Sequence, residues 1–529
     1  MSREPAKSIA RKSGPGRHDA SVLRHSLHRA RGVVAVSVAL ILAASLVLVV
    51  APGAGAAGSH CRVLKVPSQY LTIQAAINAA HPCDTILIAP GTYVDQLMID
   101  KSISVIGSGA GVTTIQGPAV VTPDALGNPW MVELGGAATV NIEGVTVLMT
   151  LQCIVTPIPA TPTTVPEAYA GGAIGVGGSA YLNLQSAIVT TTGATEGAAC
   201  GGPSPTTAGI MSYGDGIGFG LDYALGSPPP SALLGFGQVV GVTISGFGYN
   251  GEPIGIGGHV DSAAGSSALI SHDSISISTD ATGYWGDIDV GGSFYAPTAP
   301  ASATISNSVL TGSTAVGPND INVYNGSAYI AHNSISVGPD GVGVLALGAV
   351  SVTVLHNSII GPTTDFAYGV AVGGGATGTI SYNTIGQFEC AYNSTFVEEG
   401  LCGPSYATQA QLPGIFAAGS GTVVATHNQI YDTDAGVELV GCSPNCVVQN
   451  NVITNSYDYG LAGADGSYSF GPNVIDGGAY GVAAIAYSVN TAIALSNVLI
   501  VGPSVAPFYY EVDFAGGTAT ITGTWIVLP

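Results

Sequence analysis

Beyond residue 300 the hydrophobic pattern of the chain is periodic. An Asn, a variable residue and a branched apolar residue recur as Asn307-Ser-Val309, Asn333-Ser-Ile335, Asn357-Ser-Ile359, Asn383-Thr-Ile385, Asn428-Gln-Ile430, Asn451-Val-Ile453, Asn473-Val-Ile475 and Asn497-Val-Leu499. Successive Asn stand 26, 24, 26, 45, 23, 22 and 24 residues apart. A second phrase, Gly followed by an apolar residue, falls between them: Gly341-Val342, Gly369-Val370, Gly414-Ile415, Gly436-Val437, Gly460-Leu461 and Gly481-Val482. A period in the low twenties marks a solenoid, in which each repeat packs only on its neighbours. Runs such as Ser351-Val-Thr-Val-Leu355 and Gly421-Thr-Val-Val-Ala425 are β-rich and bounded by Gly and Asn. The pattern predicts three short strands per coil. The Asn is expected at a tight turn, where it tolerates left-handed backbone and its amide can hydrogen-bond from coil to coil. The apolar residue two places on is expected to point into the bore.

The segment Leu71-Thr-Ile-Gln-Ala-Ala-Ile-Asn-Ala-Ala80 has apolar residues at helical spacing. It predicts a short helix that closes the open end of the first coil, which would otherwise expose apolar surface and strand edges. Asp84-Thr-Ile-Leu-Ile-Ala-Pro-Gly-Thr-Tyr93 and Leu97-Met-Ile-Asp-Lys-Ser-Ile-Ser-Val-Ile-Gly107 follow. This block resembles the opening of pectinesterases. Together with the Asn phrases it makes the chain resemble the right-handed parallel β-helix of the pectin-lyase-like superfamily, over most of the sequence after residue 70. The resemblance implies an all-β, single-stranded solenoid with an Asn ladder between the second and third strands. It also implies loops walling a groove over the first strand. Lys101 and Asp95 read as turn and surface residues. We place an N-terminal cap at 58–84 and the β-helix at 85–529. Val132-Glu-Leu-Gly-Gly-Ala-Ala-Thr-Val-Asn-Ile142 matches Ile174-Gly-Val-Gly-Gly-Ser-Ala-Tyr-Leu-Asn-Leu184 at an offset of 42, which supports the repeat. Loop excursions are expected at 149–172, 190–209 and 387–413.

Charge is concentrated at the start. Eight of the eleven Lys and Arg lie in residues 1–32, followed by the uncharged run Val33–Val50 and the small-residue sites Ala54-Gly-Ala56 and Gly55-Ala-Ala57. Residues 1–57 predict a signal peptide, with an uncleaved membrane anchor as the alternative. Removing them leaves Arg62, Lys65 and Lys101 against thirty carboxylates, a net charge of −27. Such a chain cannot neutralise nucleic-acid phosphates and is repelled by anionic membranes. We expect a secreted or cell-surface monomer whose partner is a polysaccharide or cell-surface glycan. Eight cysteines in an exported chain predict disulfides, here in sequence-local pairs: Cys61 with Cys83, Cys153 with Cys200, Cys390 with Cys402, and Cys442 with Cys446.

Pectate and pectin lyases use an Arg base, and pectinesterases an Asp pair with an Arg. No Lys or Arg follows Lys101, so neither chemistry fits these coils. The Gly-His-Gly and Arg-Ile-Lys motifs of polygalacturonases are missing as well. Carboxylates remain. His259-Val-Asp261 precedes Asp273, which stands in the ladder position. Asp287-Ile-Asp289 precedes Asn307, and Asp320-Ile-Asn322 precedes Asn333. With Val260, Ile288 and Ile321 inward, period two places His259, Asp287 and Asp320 in one exposed column and Asp261, Asp289 and Asn322 in another. Tyr284, Trp285 and Tyr324 flank the columns and, with Asn322, are candidate sugar-binding residues. Carboxylates two coils apart approach the roughly 6.5–9.5 Å separation of an inverting glycosidase. The candidate catalytic residues are Asp261, Asp287, Asp289 and Asp320, with His259. Asp287, Asp289 and Asp320 also suit calcium, and no other cofactor is implied. Two functions stay open: a polysaccharide-active or polysaccharide-binding protein, in its enzymatic form a glycoside hydrolase, and a non-catalytic structural or adhesive rod. His272, His332, His356 and His427 each precede a turn residue and read as packed or solvated imidazoles, with His332 and His356 stacked.

Overall fold

The computed structural model describes residues 60–118, 121–122, 130–150, 172–192, 216–219, 234–247, 254–256, 265–277, 286–291, 300–312, 319–324, 326–339, 341–362, 367–388 and 412–529. Cys61–Pro529 form one compact unit. It is a parallel β-helix. Fourteen first strands, from Leu97–Ile99 to Ala506–Val512, stack into one sheet. The second and third strands of each coil form two further ladders, joined into a network of twenty-nine strands. The pairings along the stack are parallel, as in Ile288↔Ile321 and Val354↔Ile380. The stacked strands begin at Val63–Val66, which pairs with Thr85–Ile88.

Alternation explains the second strands. In Ser351–Leu355 the residues Val352 and Val354 are buried while Ser351 faces water. One continuous core of Ile, Val and Leu fills the bore. The apolar residue of the Asn phrase lies in it at Ile335, Ile359, Ile385, Ile430, Ile453 and Ile475.

At the start the helix Ile73–Ala79 covers the bore with Ile73, Ala76 and Ile77. Thr72 caps its first turn by accepting from the Ala75 N–H. Lys101 Nζ donates to the carbonyls of Ile77, Asn78 and Ala80, which satisfies the helix C-terminus. Asp95 accepts from the Gln74 N–H. Both residues therefore fasten the cap. Arg62 and Asp84 form a salt bridge beside it, and the guanidinium holds the Asp84 carboxyl far below the usual range. The disulfides Cys61–Cys83 and Cys442–Cys446 are formed. Cys153, Cys200, Cys390 and Cys402 lie outside the described residues.

The ladder runs through Asn333, Asn357, Asn383, Asn428, Asn451 and Asn473, all buried. Asn357 is typical. Its Oδ1 accepts from the N–H and side chain of Asn333 at 2.9 and 3.0 Å, and its Nδ2 donates to Asn383 Oδ1 and to Ile330 O. The two ends differ from expectation. Asn307 is exposed at φ +53°, and Ser308 takes the ladder position, donating its N–H to Asn333 Oδ1. Leu310, not Val309, enters the core. Asn497 is likewise exposed at φ +58°, one place before the buried Val498. The physical reason lies in the turn. The left-handed residue is the one before the ladder position, as at His332, His356, Tyr382 and His427. Asn suits both places, so the phrase reads alike when shifted by one residue. The exposed left-handed residues stack: His332 on His356 at 5.1 Å, His356 on Tyr382 at 5.0 Å, and Tyr382 on His427 at 4.8 Å.

Replacing Asn357 with Ala leaves the Asn333 N–H without its buried acceptor and the Ile330 carbonyl without the amide that donates to it, while Asn383 Oδ1 keeps the backbone N–H of residue 357. We expect about 2 kcal/mol of destabilisation. Thermal or denaturant unfolding checks this, and an unchanged midpoint would exclude a structural role for the ladder amide.

Candidate functional site

The register brings part of the acidic cluster together. Ile288 pairs with Ile321 and Asp289 with Asn322, as the spacing predicts. The neighbouring strand is different: Ile254 pairs with Ile288 and Gly255 with Asp289, so His259 and Asp261 are not the register partners of Asp287 and Asp289. Between 254 and 273 the chain is longer than the alignment by distance assumed. His259, Asp261, Tyr284 and Trp285 themselves lie outside the described residues. Val344 follows Ile321, so Gly343 continues the Asp320 column.

The columns are not exposed. Asp287, Asp289, Asp320 and Asn322 are 0–2% accessible. The Asp320 column faces the bore. A Cβ on Gly343, the next residue in it, would meet Ile359 and Val337. A Cβ on Gly312 would stand 3.2 Å from Asp320 Oδ1. Gly312 ends its third strand where Val337 ends the next, so the missing side chain opens the space that the carboxyl fills. Strict alternation fails here because the residue sits at the corner before the first strand. Burial holds the Asp320 carboxyl well above the usual range, and a hydrogen bond with Asp287 offsets part of this. Two stacked carboxyls in hydrocarbon share a proton rather than carry two charges.

Asp289 and Asn322 form a second arrangement. Asp289 Oδ1 accepts from Asn322 Nδ2 at 2.8 Å and from the Gly286 N–H at 3.1 Å. Asn322 Oδ1 accepts from Asn319 Nδ2, and Asn319 Oδ1 accepts from the Val342 N–H. This chain of amides fixes the entry to the first strand. Tyr324, half-buried, follows it. Among the described residues no group of three or more acids, His or Cys is arranged to hold a metal.

Asp273 takes the ladder position, as expected, and accepts from the Val242 and Ser271 N–H groups. Burial pushes its carboxyl up to about 7 against those bonds.

Two further features did not stand out in the sequence. The outer face of the second strands carries a groove of about 500 Å³ lined by Tyr181, Leu269, Ser302, Thr304, Ser327 and Tyr329, among others. Among the described residues no Asp, Glu, Lys, Arg or His lines it. Ser267, Ser302, Ser327 and Ser351 follow one another in register, as do Leu269, Thr304, Tyr329 and Thr353. The outer face of the first sheet carries Glu438, in the column Ala371–Phe416–Glu438–Ala462–Ala483–Tyr509. The signal for it was a repeated Tyr-Gly-apolar phrase at Tyr368, Tyr459 and Tyr480.

Residues 298–496 match the family described as right handed beta helix region. The chain is a right-handed parallel β-helix. No curated protein matches it. Among solved structures it is similar to the A-module of a mannuronan C-5 epimerase from Azotobacter vinelandii, at 13% identity and TM-score 0.38, covering 86% of this chain and 94% of that one. It is similar to the catalytic domain of an alpha-1,3-glucanase at 11% identity and TM-score 0.37, covering 88% and 70%. It is also similar to tailspike protein 3 of bacteriophage CBA120 at 10% identity and TM-score 0.38, covering 85% and 59%. No described helix of this β-helix is long and apolar enough to cross a membrane.

The bore carboxyls set a pH dependence. Asp320 holds its proton more tightly folded than unfolded, so the folded state binds the extra proton once pH exceeds the usual carboxylate value near 4. Its stability should therefore fall as pH rises from there through the folded value. Asp320→Asn keeps the shape and removes the proton. We expect the variant to melt at the parent's temperature near pH 4 and above it at pH 8. Parallel curves over that range would show that Asp320 titrates normally.

Proposed function

We propose that this β-helix is an exported protein that binds an uncharged polysaccharide along the outer face of its second strands. The groove there carries the reading. It is long, shallow and free of charge, and its hydroxyls recur at the coil spacing of about 4.8 Å. Tyr181 and Tyr329 are 39% and 43% exposed, so each offers a ring face for a sugar to stack on. A row of amides extends the surface: Asn183 Nδ2 donates to Asn141 Oδ1, and Gln238 Nε2 donates to Asn183 Oδ1. Hydroxyl and amide rows beside aromatic rings match the alternating polar edges and apolar faces of a glycan. The overall negative charge disfavours uronates and sulfated chains. Export agrees with the leader sequence and with Cys61–Cys83 and Cys442–Cys446, since disulfides persist in oxidising compartments.

Binding is favoured over hydrolysis at the acidic cluster. Asp287 and Asp320 face the bore, where no glycosidic oxygen reaches them, and Asp289 is spent on backbone and amide contacts.

Calorimetric titration with uncharged glycans tests the reading, with reducing-end assays run alongside. The parent should bind at least one such glycan. Tyr329→Ala should weaken it about tenfold, the loss of one stacking contact. If no uncharged glycan binds, or if the variant binds as well as the parent, the groove is not the site and a structural rod is left.

A further inference from the structure

Glu438 projects from the strand Ala435–Val440 on the outer face of the first sheet and is 7% exposed. Its inward neighbours Val437 and Leu439 belong to the core. Phe416 precedes it in the column and Ala462 and Ala483 follow. The two alanines let aromatic rings lie down over the sheet. Tyr459, Tyr480 and Tyr509 gather there with centroids 5.0–5.7 Å apart and planes tilted by 30–50°. Tyr509 donates its hydroxyl to Glu511. No hydrogen bond to the Glu438 carboxyl is formed among the described residues that would anchor it to the scaffold, unlike Asp289.

Such a carboxyl, once ionised, needs a cation. Among the described residues none is paired with it. No Lys or Arg follows Lys101, and the salt bridge among the described residues is Arg62–Asp84, at the other end of the solenoid. A ligand could therefore supply the cation at Glu438. A hard metal ion would want six or more oxygens, whereas this carboxyl is set among rings. The negative faces of tyrosines suit a larger, weakly hydrated cation.

We propose that the tyrosine-lined floor around Glu438 binds an organic ammonium group, such as the amine of an amino sugar or of a polyamine. The carboxylate pairs with the charge and the rings of Tyr480, Tyr487 and Tyr509 pack on its substituents. Burial pushes Glu438 up to about 7. Tyr368, Tyr468 and Tyr487 face it electrostatically, and Asp465, Glu511 and Asp513 lie one step further out on the same surface. None of these side chains can carry a positive charge, so none competes with an incoming cation. The site is remote from the groove on the second strands and does not rest on the glycan reading.

The test titrates the full mature chain with a glucosamine tetramer, its N-acetylated counterpart and spermidine. We expect an amine-bearing ligand to bind and the N-acetylated tetramer to bind at least about tenfold more weakly, since acetylation removes the charge. Binding of both amines would mark general ammonium recognition. Binding of one alone would name the source, sugar or polyamine. Glu438→Gln should weaken the amine by a similar factor without lowering the melting midpoint, and Tyr480→Ala should weaken it severalfold. Spermidine stays charged from pH 8 to pH 6, so its affinity for the parent should fall over that range as Glu438 takes up a proton. The Glu438→Gln profile should be flat. Equal binding of acetylated and free tetramer, undiminished binding by Glu438→Gln, a flat parent profile, or binding of neither amine would each overturn the proposal. The parent's pH profile and Tyr480→Ala keep the question open to refutation even if Glu438→Gln fails to fold.

Discussion

Hydrogen bonds parallel to the coil axis hold this structure together. Every strand pairs with the equivalent strand one coil on, so the backbone groups of a coil are satisfied only by its neighbours. The asparagine ladder carries the same logic into the side chains. From Asn333 to Asn451 each amide donates to the next and to a carbonyl one coil back, as Asn383 Nδ2 does to Asn428 Oδ1 and Val354 O, and Asn473 ends the row on the Val448 carbonyl. A buried amide with both its groups engaged fixes the turn laterally and longitudinally. Register follows from this. Once the turn between the second and third strands is pinned, the inward and outward columns of all three faces are set, and a slip of one residue would turn a hydrophobic row to water.

The fold was legible because the ladder makes a short phrase recur. Six of the eight Asn phrases lie where they were read, with Ile in the bore. The first and last are displaced by one residue because the turn has two places that accept Asn, the left-handed one and the hydrogen-bonded one. The acidic cluster was less legible. Pairing of Asp289 with Asn322 followed from spacing, since only the distance between two turns was needed. The placing of Asp287 and Asp320 on the surface did not hold. Alternation describes a strand, and these residues stand at its corner, where space is decided by Gly312 on another strand. No period in the sequence reports that exchange of volume. The column continued by Gly343, Gly369 and Gly414 shows the same rule from the other side. There the third-strand Ile residues fill the corner, and a Cβ on the glycine would collide with them.

Acidic side chains are thus handled in three ways. At the cap, Asp84 is paired with Arg62 and ionises readily. In the bore, Asp287 and Asp320 face each other, and neutralisation of one is cheaper than burial of two charges. On the outer face of the first sheet, Glu438 is dehydrated by aromatic rings without a cationic partner. The first two are self-contained, since each carboxyl finds its counterpart within the chain. The third is not, and that difference separates a structural acid from one that can recognise a ligand.

The two outer faces then divide the chemistry. Along the second strands the columns read Ser, Ser, Ser, Ser and Leu, Thr, Tyr, Thr, which leaves hydroxyls and rings with no charge. Along the first sheet the column passes from Asp289 and Asn322 through Leu345 and Ala371 to Phe416 and Glu438. Neither surface corresponds to a contiguous motif, because neighbours in a column are about one coil apart in sequence. Recognition in a solenoid is written across repeats rather than along them. A longer stretch of sequence between two coils increases the sequence distance between column neighbours without changing their pairing. The pairing of Gly378 with Val423 across the long gap between Asn383 and Asn428 shows this directly. Residues that share a ligand can therefore be forty or more positions apart and still touch, provided the ladder between them holds its register.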